Sequence, residues 1–384
     1  MSHRVLHFMS TNVGMTGVET FILQLSAAQQ RLGLSPHIHL EFERREELVR
    51  EAGARHIPVF DVRRSVAGRA PGRVRGPLQR LENVYRLLEI IRGERIELLH
   101  IHAVGVTGLD GFVAGLLATS LPIVITHHAT LSWFSPQRSR VSDLTFALER
   151  RRASRVVMPY AAAADELREA GIPHERLHVV PFCVDETRFR APTEGRRWSP
   201  DFRLVMVSRI VEGKGHRELL DAVAQARVRV PGLKLSIIGD GPLKAELEGY
   251  ARQRGLAEAV EFPGWLPHAE VPRKLAEAHA TVLPSYMPGE TFPLTLLEGM
   301  AVGLPAIGTR WFGIPDIISE GETGLVVPPR DVAALARAIE AIAAGPEPYE
   351  TWSRNAIARA HSRFTGAAVA KAYAQLYLDA ATGR

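Results

Sequence analysis

Cysteine is almost missing from this chain. Cys183 is the single one in 384 residues, which excludes an internal disulfide and a cysteine-built metal cluster. Long hydrophobic runs are missing as well: no apolar stretch approaches the roughly 20 residues of a bilayer crossing. The opening Met-Ser-His-Arg-Val-Leu-His-Phe-Met has too short an apolar core for a signal peptide and reads as a first strand, so the expected location is cytoplasmic. A strong charge of one sign is also absent. Net charge is +5 with arginine far ahead of lysine, a bias that codon usage in a GC-rich genome explains. The two halves carry similar balances, so neither end is a basic nucleic-acid tail. One local cluster stands out: Arg63, Arg64, Arg69, Arg73, Arg75 and Arg80, in a stretch with Gly and Pro and few acids. It is either a solvated loop or a contact for an acceptor or anionic lipid headgroups, which leaves peripheral membrane contact open.

What is present is 46% hydrophobic residues with Gly and Pro throughout, the composition of a globular protein. The length favours two domains of about 180 residues each. Apolar runs alternate with amphipathic segments, the pattern of a doubly wound α/β sheet. In the first half, strands are expected at Val5–Met9, His37–Leu40, Val59–Val62, Leu98–His102, Ile123–His127 and Val156–Met158. Helices are expected over Val18–Leu32 and Pro77–Gly93. Composition turns irregular around Val180–Phe189 and then polar, the best place for a domain boundary. Strands at Leu204–Ser208, Lys234–Ile238, Val260–Pro263, Ala280–Leu283 and Gly324–Val327 follow, and the chain closes on helices rich in alanine.

The most informative stretch is Pro284–Gly308: strand end, turn at Pro288-Gly289, helix, then a new strand. Pro293 suits the first turn of a helix, where a missing N–H costs nothing. Glu290 lies just before that helix and Glu298 on its second turn. A helix tip at the carboxyl end of a parallel strand favours an anion, and a carboxylate one or two turns along can accept from a vicinal diol. The set suits a nucleoside diphosphate, with phosphate at the Thr291, Phe292, Pro293, Leu294 and Thr295 tip, ribose on Glu298 and the departing group near Glu290. The other reading is a solvated helix with two unrelated acids. Arg209 and Lys214 stand five residues apart in a loop before a helix; they either clamp the diphosphate or extend into solvent.

Glu290, Phe292, Leu294 and Glu298, followed by Gly303 and Pro305, resemble the acid–seven residues–acid signature of glycosyltransferase family 4, retaining sugar transferases of the GT-B fold. The resemblance covers nearly the full length. It implies two Rossmann-like domains facing across a cleft: 1–187 for the acceptor, with a terminal helix at 365–384 returning to it, and 188–364 for the nucleotide sugar. It also implies that Arg209 and Lys214 hold the diphosphate, that Glu290 contacts the donor sugar, and that His128 in Thr-His-His-Ala reaches a hydroxyl of that sugar. Backbone near Gly239 and Trp265 would neighbour the base. Family members usually have two adjacent glycines in the first loop; here Thr16 replaces the first and Gly17 remains. Asn-Gly before Val-Asp is replaced by Phe182-Cys183, and Asp316 stands for a usual Glu.

Histidines gather at strand ends, His100 and His102 on one face and His127 and His128 after the next strand. No carboxylate or cysteine has ligand spacing to them, so no metal is expected. The implied reaction moves a sugar from a UDP- or GDP-sugar to a hydroxyl of a glycan, a lipid-linked sugar or a small molecule, with configuration retained and no cofactor. A nucleotide-sugar epimerase, a phosphorylase and a non-catalytic nucleotide-sugar-binding subunit are the other readings.

Overall fold

The computed structural model describes residues 3–10, 17–40, 46–61, 72–104, 109–118, 121–129, 140–192 and 196–383. The chain divides into two compact units, Met1–Phe182 with Gly366–Arg384, and Cys183–Thr365. The Gly14–Thr16 loop lies outside the described residues, as do Arg63, Arg64 and Arg69 and the side chains of Arg73 and Arg75.

In the first unit, β1 (Arg4–Ser10), β2 (Ser35–Leu40), β3 (Val59–Asp61), β4 (Leu98–Ala103), β5 (Ile123–His127), β6 (Arg155–Met158) and β7 (Leu177–Val179) form one sheet. All pairings are parallel, in the order β3-β2-β1-β4-β5-β6-β7. β4 and β5 are buried along their whole length, because a parallel sheet is covered on both faces. Alternation sorts the side chains. One face carries Phe8, Leu99 and Ile101, and the Leu109–Leu117 helix closes on it at Gly111 and Gly115. A Cβ at Gly111 would sit 2.8 Å from the Phe8 ring, so only glycine allows that approach. The other face carries His7, His100 and His102, all buried. The Gly17–Arg31 helix and the terminal Gly366–Thr382 helix pack on each other, and they hydrogen-bond to that face through Gln29, Tyr373 and Tyr377.

The helix expected from Pro77 begins at Gly72 and runs to Gly93. Arg80 on it is exposed, yet its Nη1 donates to the buried Asp110 Oδ1 at 3.1 Å, and Asn83 Nδ2 donates to the other oxygen at 2.9 Å. That one arginine of the basic cluster is therefore tied to its own unit.

In the second unit, β8 (Arg203–Val207), β9 (Lys234–Ile238), β10 (Val260–Gly264), β11 (Ala280–Leu283), β12 (Ala306–Thr309) and β13 (Gly324–Val327) pair in parallel in the order β10-β9-β8-β11-β12-β13. The strand order reverses direction at β8 and β11, and ligands of open α/β sheets bind outside the carboxyl ends of the strands at such a point. Among the described residues no helix is long and apolar enough to cross a membrane.

Candidate functional site

The loops after β8 and β11 flank that reversal, and they are locked together. Gly213 has φ +85 and Gly215 φ +80. A Cβ on Gly215 would fall 2.2 Å from the Pro284 carbonyl oxygen, so both the backbone angle and the space demand glycine there. Tyr286 N–H donates to the Gly213 carbonyl at 2.8 Å, and Ser285 Oγ donates to the same oxygen at 3.3 Å. This clasp fixes Lys214 over the second loop, where its Nζ donates to Glu290 Oε2. Both side chains are largely withdrawn from water, at 13% and 11% exposure, which strengthens the attraction between them. Arg209 is exposed at the end of β8.

The Leu294–Ala301 helix begins one residue later than a first-turn proline implies: Pro293 is its N-cap, with φ -68 and ψ 116. The reason is tertiary. Residues 284–293 are held in place from outside by the β12 side, where Gly313 N–H donates to the Thr291 carbonyl at 2.9 Å and Trp311 Nε1 to the Met287 carbonyl at 3.0 Å. The Trp311–Gly313 motif thus braces the Glu290 loop. Thr291 N–H is used within its own turn, donating to the Gly289 carbonyl at 2.9 Å. Pro293 has no N–H, and within the helix Leu294 and Thr295, first-turn amides with no intrahelical acceptor, are donors it offers an anion.

Glu298 is buried on the second turn, and His268 Nε2 donates to its Oε1 at 2.8 Å. Arg188 Nη1 donates to His268 Nδ1 at 2.7 Å. Arginine can only donate, so the imidazole carries its proton on Nε2 and donates from there to the carboxylate oxygen. Sequence reading missed both His268 and Arg188. No spacing links positions 188, 268 and 298; only the fold does.

Gly239 has φ +144, and a Cβ there would meet the Ser208 carbonyl oxygen at 1.9 Å. Its N–H donates to the Gly264 carbonyl at 2.9 Å. Trp265, next along, is 61% exposed. His216 was also missed, although it stands two residues from Lys214. It is buried, its Nε2 pairs with Ser208 Oγ at 3.1 Å, and burial with the nearby Lys214 charge lowers its pKa to about 4.

In the first unit, Gly17 opens the Gly17–Arg31 helix, exposed and with open space where a Cβ would stand. His128 follows β5, its ring buried beside Phe21 and Phe182 and its backbone N–H donating to the Ala103 carbonyl at 2.8 Å. Burial, with the neighbouring His127, brings its pKa down to about 3. His127 itself points elsewhere, its Nε2 2.6 Å from the buried Glu149 Oε1. Ring nitrogens of His7, His100 and His102 lie within 4.8 Å of one another, a spacing a metal ion could use. Yet all six of their nitrogens have hydrogen-bond partners. Cys183 is fully buried among packing residues.

Two family models match the chain: residues 15–188 match "Glycosyltransferase Family 4" and residues 193–359 match "Glycosyl transferases group 1". Among curated relatives, the putative colanic acid biosynthesis glycosyltransferase WcaL of Escherichia coli K12 is 28% identical over 63% of this chain and 60% of its own length. Alpha-D-kanosaminyltransferase of Streptomyces kanamyceticus is 29% identical over 60% of this chain and 61% of its own. The matched region thus spans about three fifths of each relative. Among solved structures, Anabaena Alr3699/HepE in complex with UDP superposes with a TM-score of 0.78 at 20% identity, covering 97% of this chain and 98% of that one, a likeness of fold. With two parallel sheets built as described and both halves matched in order, the chain belongs to glycosyltransferase family 4 and has the GT-B fold.

Proposed function

We propose that this chain is a retaining glycosyltransferase that moves a sugar from a UDP- or GDP-sugar to a hydroxyl of a glycan, a lipid-linked sugar or a small molecule. The observation that carries the proposal is the Lys214–Glu290 pair beside the tip of the Leu294–Ala301 helix, with Glu298 buried one turn along. The relatives WcaL and alpha-D-kanosaminyltransferase, named for sugar transfer, support the same reading.

In this reading the second unit holds the nucleotide. Arg209, Lys214 and the Leu294 and Thr295 amides face the diphosphate as negative charge grows on it. Fixed countercharge of this kind acts in the transition state without reorganising, and it serves the role a divalent cation would otherwise fill. Glu298, oriented by His268, accepts from the ribose hydroxyls, and backbone around Gly239 lies by the base. Before donor arrives, Glu290 and Lys214 neutralise each other. The diphosphate takes over the lysine, and Glu290 turns to the hydroxyls of the sugar. Departure and attack occur on one face of the sugar, with the leaving diphosphate drawing the proton from the acceptor hydroxyl. Glu290 forms no ester. The first unit serves the acceptor, and its His128 is the polar group for a hydroxyl of the transferred sugar.

The test is a product assay with UDP- and GDP-sugars and a panel of hydroxyl acceptors. Free nucleoside diphosphate should appear together with an acceptor adduct of retained anomeric configuration. Lys214→Ala is expected to lower kcat by about 10²–10³, the usual effect of removing one charge-stabilising donor. Inversion at C2 of the donor, a sugar phosphate product, a glycosyl ester trapped on Glu290, or equal turnover by Lys214→Ala and wild type would each sink the proposal.

A further inference from the structure

The histidine face of the first sheet forms one continuous hydrogen-bonded chain. His128 Nε2 lies 3.0 Å from His102 Nδ1. His102 Nε2 lies 2.9 Å from His7 Nδ1, and His7 Nε2 lies 2.8 Å from Gln29 Oε1. The amide nitrogen of Gln29 donates to the Tyr377 hydroxyl at 2.9 Å. That hydroxyl is 2.7 Å from His100 Nδ1, whose Nε2 is 2.8 Å from Thr126 Oγ1, itself 2.8 Å from the Tyr373 hydroxyl. All eight residues are buried. Burial and mutual proximity keep His7, His100, His102 and His128 neutral, so each ring holds one proton and each link can hold only one.

Such a chain has a direction. Gln29 sets it, because its carbonyl oxygen can only accept and its NH₂ can only donate. With the oxygen towards His7, the His7 proton sits on Nε2, and Nδ1 must accept from His102 Nε2–H. His102 Nδ1 must then accept from His128 Nε2–H. On the other arm, the Tyr377 hydroxyl, already accepting from Gln29, donates to His100 Nδ1, so that proton too lies on Nε2. Turning the Gln29 amide over would reverse every link and move all four protons to Nδ1. The two arms are therefore coupled, and mixed tautomers break the chain.

We propose that Gln29 is a positioning residue that acts through His7 and His102 to hold His128 in its Nε2–H tautomer, so that His128 Nδ1 meets a substrate hydroxyl as an acceptor. The assignment of a substrate to His128 rests on the transferase reading; the tautomer chain does not. A reversed amide would offer that hydroxyl a donor instead, so the hydroxyl would accept from His128 and its own proton would have to find a different acceptor. Networks of this kind exclude mixed arrangements, because one ring out of step leaves buried polar atoms unsatisfied, and the direction of the whole chain then follows the Gln29 amide.

Long-range proton–nitrogen NMR spectra of the labelled full chain report the tautomer of each ring without needing turnover. Wild type is expected to show His7, His100, His102 and His128 all as Nε2–H at about pH 7.5, well above the range in which these buried rings titrate, unchanged by equimolar zinc. In Gln29→Met the His128 signal becomes a mixture of both tautomers. In Tyr377→Phe the Gln29 NH₂ loses its acceptor and the amide can turn over, so His100 and His128 both become mixtures. If the transferase reading holds, Gln29→Met also raises KM for the donor about tenfold, the worth of one hydrogen bond, with a smaller change in kcat. Mixed tautomers in wild type, a His128 proton on Nδ1, zinc-shifted signals from His7, His100 and His102, or an unmoved His128 in folded Gln29→Met would overturn the proposal. Should Gln29→Met fail to fold, the wild-type and Tyr377→Phe spectra still decide it. A correct tautomer pattern in a protein without transferase activity would remove the substrate role alone.

Discussion

At the scale of single residues, two glycines of the candidate site have opposite tolerances. Gly239 sits at φ +144 with a carbonyl oxygen 1.9 Å from where a Cβ would go, whereas Gly17 has open space at the start of a helix. Gly239→Ala is therefore expected to cost more than about 2 kcal/mol, through backbone strain and a clash with an atom that cannot move aside. Gly17→Ala is expected to leave stability unchanged or raise it by up to about 1 kcal/mol, the difference between the two residues in a helix. Thermal melts of the two variants decide this, and equal melting shifts would contradict it. Composition alone separates neither case, since each glycine stands between an expected strand and an expected helix. The need for glycine at 239 comes from Ser208 at the end of β8, distant in sequence but beside it because β8 pairs with β9. The same holds for the histidines. Their period-two placement on β4 was legible, but their partners Gln29 and Tyr377 belong to helices far away in the chain.

At the scale of elements, the Leu294–Ala301 helix shows what a motif says and what it omits. The helix, its place after β11 and the burial of its apolar face follow from spacing and turn residues. Its start at Pro293 as a cap depends on Gly313 and Trp311 gripping the preceding loop, which no local signal announces. The short strand Leu177–Val179 escaped sequence reading for a related reason. It has three residues, all at least partly exposed, and pairs along one side only, so it lacks the buried apolar run that marked the others. Glu298 draws its orientation from another loop. His268→Ala removes the donor that holds the carboxylate and leaves it buried without that partner. We expect KM for the nucleotide sugar to rise about threefold to tenfold, the range of a lost hydrogen bond, with kcat changing less. Unchanged KM with collapsed kcat would show that Glu298 serves the chemical step instead of the ribose.

At the scale of the whole molecule, buried neutral histidines are concentrated in the first unit. Burial lowers His7 and His39 to about 4, His128 to about 3, and His100 and His102 well below their ordinary value. In the second unit His216, lowered to about 4, and His279 are shifted the same way. An unfolded chain takes up these protons near the ordinary value of 6.5 and the folded one does not. Stability is thus unaffected above about pH 6.5 and declines as pH drops from there; the contributions of His7 and His39 level off below about 4, while that of His128 goes on falling to about 3. Each ring contributes about 1.4 kcal/mol per pH unit across its window. Amide exchange at about pH 7.5 and about pH 5, on either side of the unfolded-state titration and corrected for the intrinsic rate, is expected to show protection falling more in the first unit than in the second. Equal loss in both would refute that distribution. The second unit has a separate property. Its entry and exit are stitched side by side, Val184 N–H donating to the Phe364 carbonyl at 2.7 Å and Val184 bridging Thr365. A gene fragment spanning Cys183 to Thr365 therefore starts and stops at neighbouring points of one closed loop, the geometry that lets an inserted module be cut free, or its ends be joined and reopened elsewhere, with its strand order left whole.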